Sequence, residues 1–445
     1  ASNNYTTKCT VCDPVVLVAL QHAMTEAIRC PVHGFIRYSK KERALMDHPR
    51  VQRLRYVRQL GLTYLVYPGA MHSRFEHSLG VMELVTRAFE GLVRDHSKRL
   101  EEELEGIPGL GDHTLERTLQ VLRLAGLLHD IGHAPFSHAG EALLGKSHEE
   151  LAAEIIRREL RDGIDSQFFE GAADLAANLI EKPDAVPFLR QFVAGEMDMD
   201  RTDYLRRDSL HCGVDYGLFD FRRLLESLTV ASNPETGRLQ LAIRRGGEHA
   251  FEGLILARYQ MSTQVYLHKI RRIYDHYLGN YLEAWKQEHV RRPEDVLEYN
   301  DHDLLTQMTL DGKTDKPASE WAKRILERRH HKVVYDSGDA ADVTRLKKAR
   351  KILESLREEF LDIDLLLDDS PLTIHKLTVP GDQEESKVED LYIVEEGGRL
   401  TRLTEDSAII GKIPKSVRTV RIFADATRDL LEDVRTRVRA LEARP

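Results

Sequence analysis

The chain has 445 residues, of which 42% are apolar and 31% charged, with a net charge of −9. That balance describes a folded, helix-rich globular protein and excludes a disordered chain; the acidic net charge excludes a surface basic throughout, leaving room for a local basic groove. No run approaches the roughly 20 apolar residues of a membrane span, and four cysteines are too few for a disulfide scaffold, so a reducing, cytoplasmic setting without membrane contact is expected.

The first apolar stretch, Val15 to Leu20, lacks a basic leader and reads as part of a helix over 13–29, with Asp13 as N-cap and Pro14 in the first turn. A short strand follows at Phe35–Tyr38, then helical spacing from Lys40 to Leu60 and a loop over 61–70. Phe75, Leu79, Met82, Val85, Phe89 and Leu92 predict a helix from Ser73 to Arg94. Another spans about Thr114 to Asp130; its second half is apolar nearly all round, which predicts burial. Helices are expected over 147–160, 170–181 and 193–207, a hairpin over Ser227–Arg245 around Asn233 to Gly237, and one long helix from Phe251 to Gln287. Composition shifts near residue 290. Beyond it come charge-dense helices, a polar loop over 336–342, an acidic stretch from Glu358 to Asp369, strand-like alternation over 371–423 with a Gly397-Gly398 turn, and a last helix from Thr427 to Ala443. The fold class is therefore mainly α: an N-terminal helix segment (1–30), a helical core (31–290) and a smaller mixed α+β C-terminal lobe (291–445) suited to regulation or oligomer contacts.

The dipeptide His-Asp occurs twice. His302-Asp303 lies in a polar segment and reads as a solvated helix cap, whereas His129-Asp130 ends the buried helix, where charged groups must be paired or bound to a metal. His72, His77, His133, His138 and His148 surround it in sequence, and Asp198 and Asp200 follow. Imidazole with carboxylate is the ligand mix of Mn, Fe, Zn or Ni. Such an ion lowers the pKa of its water and polarises a phosphoryl oxygen.

Three ordered segments carry a family likeness: Arg74-Phe75-Glu76-His77-Ser78-Leu79-Gly80-Val81, the run from His129-Asp130 through His133 to Phe136-Ser137-His138, and Asp200-Arg201-Thr202-Asp203-Tyr204. Together with Gln52-Arg53-Leu54-Arg55-Tyr56, they resemble the HD-domain deoxynucleoside triphosphate (dNTP) triphosphohydrolases, in particular the SAM-and-HD-domain branch, over residues 31 to 290. The resemblance implies an HD-domain core in which His77, His129, Asp130 and Asp200 hold a divalent transition metal, with Mg on the substrate phosphates. It implies His138 as a catalytic histidine near the α-phosphate, with His133, His148 and Glu141 beside it. Gln59, Leu60 and Asp208 then match positions near the sugar, Arg74, Arg201 and Arg258 phosphate-binding positions, Tyr204 and Tyr266 the tyrosines against the sugar, and His268 a neighbouring histidine. The implied reaction is attack of metal-activated water on the α-phosphorus, with His138 protonating the departing 5′-oxygen to release deoxynucleoside and inorganic triphosphate. Helical spacing agrees: Asp200 and Tyr204 are four apart, and Arg258 and Tyr266 lie roughly 12 Å apart along one helix.

In the same branch, residues before the first motif bind an activating guanine nucleotide; Asp47, Gln52 and Arg55 match them, and Asp and Arg suit a guanine edge. Arg53 and Arg55 read equally well as plain surface or interface charges. A dGTP/GTP-type activator would couple to a homo-oligomer (dimer, tetramer or hexamer) and to activity. Cys9-x2-Cys12 with Cys30-x2-His33 reads either as a zinc-ribbon-like set or as free buried cysteines, with His33 matching a family position. The basic runs from Lys323 to Lys332 and from Arg345 to Lys351 read as solvated helix faces, or as a site for a nucleotide effector or nucleic acid. Two rival functions stand beside the dNTPase: an HD-type phosphodiesterase or nucleotidase on another phosphoester, and a nucleotide sensor without catalysis. Control of dNTP pools and antiviral defence both follow from the resemblance alone.

Overall fold

The computed structural model describes residues 24–182, 186–339, 341–377 and 390–443. Its first elements are strands, β1 (Glu26–Cys30) and β2 (Gly34–Tyr38), paired antiparallel with Cys30 opposite Gly34. The helix expected over 13–29 is thereby corrected at its end; residues 13–23 lie outside the described chain. Exposure along β1 alternates with period two, and Gly34 takes φ +81° to close the turn, a conformation that favours glycine. The hairpin also crosses the boundary expected at residue 30.

A capping box of Ser39 and Glu42 starts α1 (Lys40–Met46). The central pair is α2 (Arg74–Leu104) and α3 (Thr114–Leu128). Helix α2 runs ten residues past its expected end, bending at His96, whose ring bonds Thr229. Every residue of α3 from Val121 to Leu128 is buried, including Arg123, which the Glu42 carboxylate neutralises at 2.5 Å. The expected loop over 61–70 begins as a 3-10 turn, Gly61–Leu65. Next come α4 (His148–Ile155), α5 (Ala172–Glu181) and α6 (Met199–Cys212). Helix α6 starts six residues later than the polar pattern suggests, because the Asp198 side chain caps it by accepting from the Arg201 N–H at 2.7 Å. The expected hairpin forms as β3 (Leu228–Ser232) and β4 (Leu239–Arg244).

The long helix is two helices, α7 (Glu248–Met261) and α8 (Lys269–His289), separated by a π turn over Ser262–Tyr266 and an irregular pair, Leu267–His268. Arg258 and Tyr266 therefore do not share a continuous α-helix, and the eight-residue spacing argument is corrected. Freed carbonyls at the break find donors: Arg271 reaches the Tyr266 oxygen and Arg421 the Leu267 oxygen, the latter at 2.7 Å.

Beyond α9 (Asp301–Asp311) the C-terminal residues are mixed: β5 (Lys332–Asp336), α10 (Val343–Glu359), β6 (Asp364–Thr373), β7 (Tyr392–Val394), β8 (Leu400–Arg402), β9 (Ser416–Asp425) and α11 (Arg428–Glu442). Strands β5, β9 and β6 make an antiparallel sheet, while β7 pairs parallel with β4 and extends the core hairpin to four strands. Along β9, Val420, Ile422 and Ala424 face a small core with α10 and α11; Val417 and Phe423, on the opposite face, join the main core. The fold is mainly α with a mixed C-terminal lobe, and that lobe is stitched to the helical core. No described helix is long and apolar enough to cross a membrane.

Candidate metal centre and its flanking cavities

His77 stands in the first turn of α2, His129 and Asp130 directly follow α3, and Asp200 is in the first turn of α6. The packing of these three ends converges their polar atoms. His77 Nε2 lies 2.9 Å from Asp200 Oδ1 and 3.2 Å from His129 Nε2; His129 Nε2 is 3.4 Å from Asp130 Oδ1. Donors bonded to one ion at about 2.1 Å lie roughly 3 to 3.5 Å apart, so the spacing fits a first-row divalent ion. Asp130 stands slightly back, with Oδ2 3.8 Å from His77 Nε2 and 2.7 Å from the Arg74 guanidinium.

Tautomers make the case stronger. His129 Nδ1 faces the Gly126 carbonyl at 2.9 Å, an acceptor, so Nδ1 carries the proton. His77 Nδ1 faces Asp203 Oδ2 at 2.8 Å. Burial opposes the Asp203 anion, but Arg207, His33 and His77 hold its carboxyl well below the usual range, so it too only accepts. Both Nε2 atoms are then lone pairs pointing at each other across 3.2 Å, beside two carboxylates. Such a set calls for a cation. Burial disfavours a charged His77, yet bonds to Asp200 and Asp203 and the Asp130 charge push its pKa up to about 10: a proton does there what a metal ion would do better. His77, His129 and Asp200 form one group able to hold an ion.

A second group lies beside it. Glu141 Oε1 is 2.6 Å from His148 Nδ1, 3.1 Å from His138 Nδ1 and 3.3 Å from His133 Nδ1. Although burial opposes it, bonds from His138 and His148 keep the Glu141 carboxyl strongly ionised. The His148 ring stacks on His133, centroids 3.8 Å apart. That approach needs Gly132, where a Cβ would fall 2.1 Å from the His148 carbonyl oxygen. His133 in turn touches Asp130 at 3.2 Å, joining the two groups. Burial, Arg74 and His148 lower the His133 pKa, making it a neutral spacer.

Two cavities flank the centre. One of about 480 Å³, within the size range of small-molecule sites, is lined by Gln59, Leu60, Arg74, His138, Tyr204, Asp208 and Tyr266 of the expected residues. The Tyr266 hydroxyl donates to Asp208 at 2.7 Å, and Asp208 also meets His72 at 2.7 Å, a buried chain that fixes the tyrosine. The other, about 420 Å³, is lined by His129, His148, Asp200 and Arg201. Arg201 is held by Asp198 at 2.7 Å, and Arg258 lies 3.8 Å from Glu196. His268 is placed differently: its ring caps α8 by accepting from the Ile270 N–H and packs edge-on to Tyr67. Asp47 and Arg55 are exposed and Gln52 half-buried: Arg55 bonds Gln52 and lies over Phe75, Gln52 bonds the Met46 carbonyl, and Asp47 is 3.6 Å from Arg43. Of the zinc-like set, Cys9 and Cys12 lie outside the described residues; His33 is engaged by Asp203 at 2.5 Å and Cys30 by Arg207.

Sequence reasoning missed several residues here. Arg271, Arg272, Asp275 and the stretch Asp369–Leu372 of β6 close the far end of the larger cavity, and Lys376 enters the smaller one. Asp301 is missed too, although it accepts from the Phe136 and Arg58 N–H groups at 2.7 and 3.0 Å beneath the His138 turn.

Comparison with known proteins identifies the regions of chain that carry these residues. The HD domain model matches residues 74–208 and the HD associated region residues 219–421. An uncharacterized protein of Methanocaldococcus jannaschii is 35% identical over 250 residues, 56% of this chain and 48% of that one. The deoxynucleoside triphosphate triphosphohydrolase SAMHD1 of Gallus gallus is 32% identical over 288 residues, 57% of this chain and 43% of its own. The chain thus spans about half the length of these relatives. Two crystal structures match nearly end to end: a hypothetical protein from Aquifex aeolicus (TM-score 0.73, 29% identity, 93% of this chain and 99% of that one) and a phosphohydrolase from Bacteroides thetaiotaomicron (TM-score 0.68, 27% identity, 90% and 100%). With His129-Asp130 as its signature pair and an HD-associated region behind it, the chain belongs to the HD-domain family.

Proposed function

We propose that the protein is a metal-dependent phosphohydrolase that converts dNTPs to deoxynucleoside and inorganic triphosphate. The observation that carries this reading is the convergence of His77, His129 and Asp200 between a nucleoside-sized cavity and a second cavity bearing Arg201 and Lys376. Similarity to proteins named as dNTP triphosphohydrolases supports the substrate class. A divalent ion at the centre would supply Lewis-acid polarisation of a phosphoryl oxygen and a water acidified toward neutral pH.

The chain's own residues would do the rest. Gln59, Leu60, Asp208 and Tyr266 would enclose sugar and base; Arg201, Lys376 and the neighbouring Arg258 would neutralise the phosphate tail. His138 is our general acid: Glu141 holds its Nδ1 at 3.1 Å, leaving Nε2 to protonate the departing 5′-oxygen. The test is product analysis with Mn²⁺ or Mg²⁺ and each dNTP, singly and mixed, beside ribonucleotides. Deoxynucleoside and triphosphate are expected. Pyrophosphate or orthophosphate would move the cleavage elsewhere and sink this mechanism. Turnover in mixtures alone would assign Asp47, Gln52 and Arg55 to an activating nucleotide.

Lys376 offers a sharper check. As a partner of the phosphate tail, a charge-assisted bond of about 1.5 kcal/mol, it should contribute roughly tenfold to apparent affinity. Lys376→Ala should raise KM for a dNTP about tenfold with kcat little changed. An unaltered KM would remove the lysine from the site.

A further inference from the structure

The metal ligand His77 is held by something outside the matched HD domain. Asp203, fully buried on α6, accepts four hydrogen bonds: His33 Nε2 and Arg207 Nη2 on Oδ1, at 2.5 and 2.9 Å, and His77 Nδ1 and Arg207 Nε on Oδ2, both at 2.8 Å. Those four use the whole acceptor capacity of a carboxylate. The side chains of His33, Asp203 and Arg207 show no exposure, and that of His77 1%. With a metal ion in place of the proton on its Nε2, His77 would donate to Asp203 from Nδ1 as a neutral imidazole. The other ring nitrogen of His33, Nδ1, is buried with no hydrogen-bond partner among the described residues, so that ring is held through Nε2.

His33 comes from the β1–β2 turn, four tens of residues before the HD match begins. The turn is itself anchored: Arg87 donates to the His33 carbonyl at 3.1 Å, the His33 ring meets Phe221 edge-on, and Cys30 at the end of β1 receives Arg207 Nη2 at 3.5 Å. On the other side α2 passes so near that a Cβ at Gly80 would fall 1.9 Å from Asp203 Oδ1 and 2.5 Å from Arg207 Nη2. The hairpin, α2 and α6 therefore meet at one carboxylate, and that carboxylate orients a ligand.

We propose that the β1–β2 hairpin positions the metal ligand His77 through the buried relay His33–Asp203–His77, and so sets the affinity of the centre for its divalent ion. This rests on the metal reading given above. The physical link is the tautomer. Asp203, fixed by His33 and Arg207, accepts a hydrogen bond from the His77 Nδ1–H, which keeps the proton on Nδ1 and leaves Nε2 a lone pair aimed at Asp200 and His129. Freed of His33, the carboxylate loses one of its four restraints, and the His77 ring loses orientation and basicity. Removing a partner of this kind typically weakens metal binding about 10- to 100-fold. His33 and Asp203 are positioning residues: neither would touch substrate.

The experiment measures Mn²⁺ affinity by titration of the full chain, together with the thermal midpoint of the metal-free protein. His33→Phe keeps a ring against Phe221 but deletes the donor. It should bind Mn²⁺ at least about tenfold more weakly than wild type, at a metal-free midpoint close to wild type. His33→Gln, which can still donate to Asp203, should recover much of the loss. Asp203→Asn, whose amide nitrogen would present a donor to His77 and favour the opposite tautomer, should lose about 100-fold. His33→Met is the second donor-free variant should the phenylalanine protein not fold. A folded donor-free variant that binds Mn²⁺ as tightly as wild type overturns the relay while leaving the metal reading standing. Wild-type protein that binds no divalent ion overturns both, and shows it before any variant is made.

Discussion

Asp200→Asn is expected to lower phosphoester hydrolysis by at least about three orders of magnitude with the fold retained. A bound ion polarising a phosphoryl oxygen contributes several kcal/mol, and about 4 kcal/mol corresponds to a thousandfold in rate. The choice of residue matters. Asp130 is paired with Arg74 at 2.7 Å, both nearly fully buried, so Asp130→Ala would leave a buried guanidinium without its partner and cost about 3–5 kcal/mol in stability. That loss would confuse a folding effect with a catalytic one. Asp200 carries a third of its side chain exposed and meets His77 and His129, the other two members of the proposed ligand set, so asparagine keeps the shape and removes the charge that faces His77. Mn²⁺ at a hundred times its Kd should add about 2.7 kcal/mol to the stability of the wild type and little to the variant. A folded Asp200→Asn protein with wild-type turnover, or stabilised as much by Mn²⁺, would remove Asp200 from the centre.

What was legible in the sequence follows a physical pattern. His77 opens α2, whose apolar period is strong, and His129-Asp130 directly follow α3, apolar nearly all round, so those two elements were readable; α6, which carries Asp200, is polar and acid-rich, and its start was misplaced by six residues although the order of the motifs matched a family. The β3–β4 hairpin was readable from alternation around its turn, and the C-terminal helix forms over Arg428–Glu442, within the range expected for it. The break between α7 and α8 was not, because its sequence contains no Gly or Pro from Leu254 to Tyr277. It is stabilised at the Leu267 carbonyl by Arg421, 154 residues on, which no local pattern announces. The β6 residues lining the larger cavity, and Lys376 just beyond that strand, were invisible for the same reason: a strand placed by pairing with β9, and the chain that leaves it, acquire a role only through tertiary packing. At β1 a five-residue run, too short to tell period 2 from 3.6, was absorbed into an adjoining helical pattern.

The second His-Asp pair shows how close a correct reading can stand to a missed one. His302-Asp303 is the helix cap that its polar setting predicts: Asn300 and Asp303 form a capping box at the start of α9. The residue just before it, Asp301, is fully buried and holds the turn that precedes His138. Its two oxygens accept from the Phe136 and Arg58 N–H groups, at 2.7 and 3.0 Å. Phe136 and Ser137 both have φ of 59°, the left-handed region, which costs non-glycine residues roughly 1–2 kcal/mol each. Ser137 is tied further by donating to the Arg58 carbonyl at 2.6 Å, and Arg74 donates to Ser137 at 2.7 Å. The strain is thus held in place by a carboxylate at the start of α9, within the HD-associated region, and it sets where His138 begins. Asp301→Ala would leave two buried N–H groups without acceptors, at about 1–3 kcal/mol each, so a loss of about 2–6 kcal/mol in stability is expected. Relaxation of Phe136 and Ser137 would also swing His138 from Glu141, lowering kcat about 10- to 100-fold, the scale of a misplaced acid. Asp303→Ala should cost only about 1 kcal/mol, as loss of a cap does, with kcat unchanged. Chemical denaturation and steady-state kinetics on the two variants separate the cases. Equal stability and equal kcat for Asp301→Ala and Asp303→Ala would mean that the turn holds its left-handed conformation without Asp301, and that His138 owes its position to Ser137 and Glu141 alone.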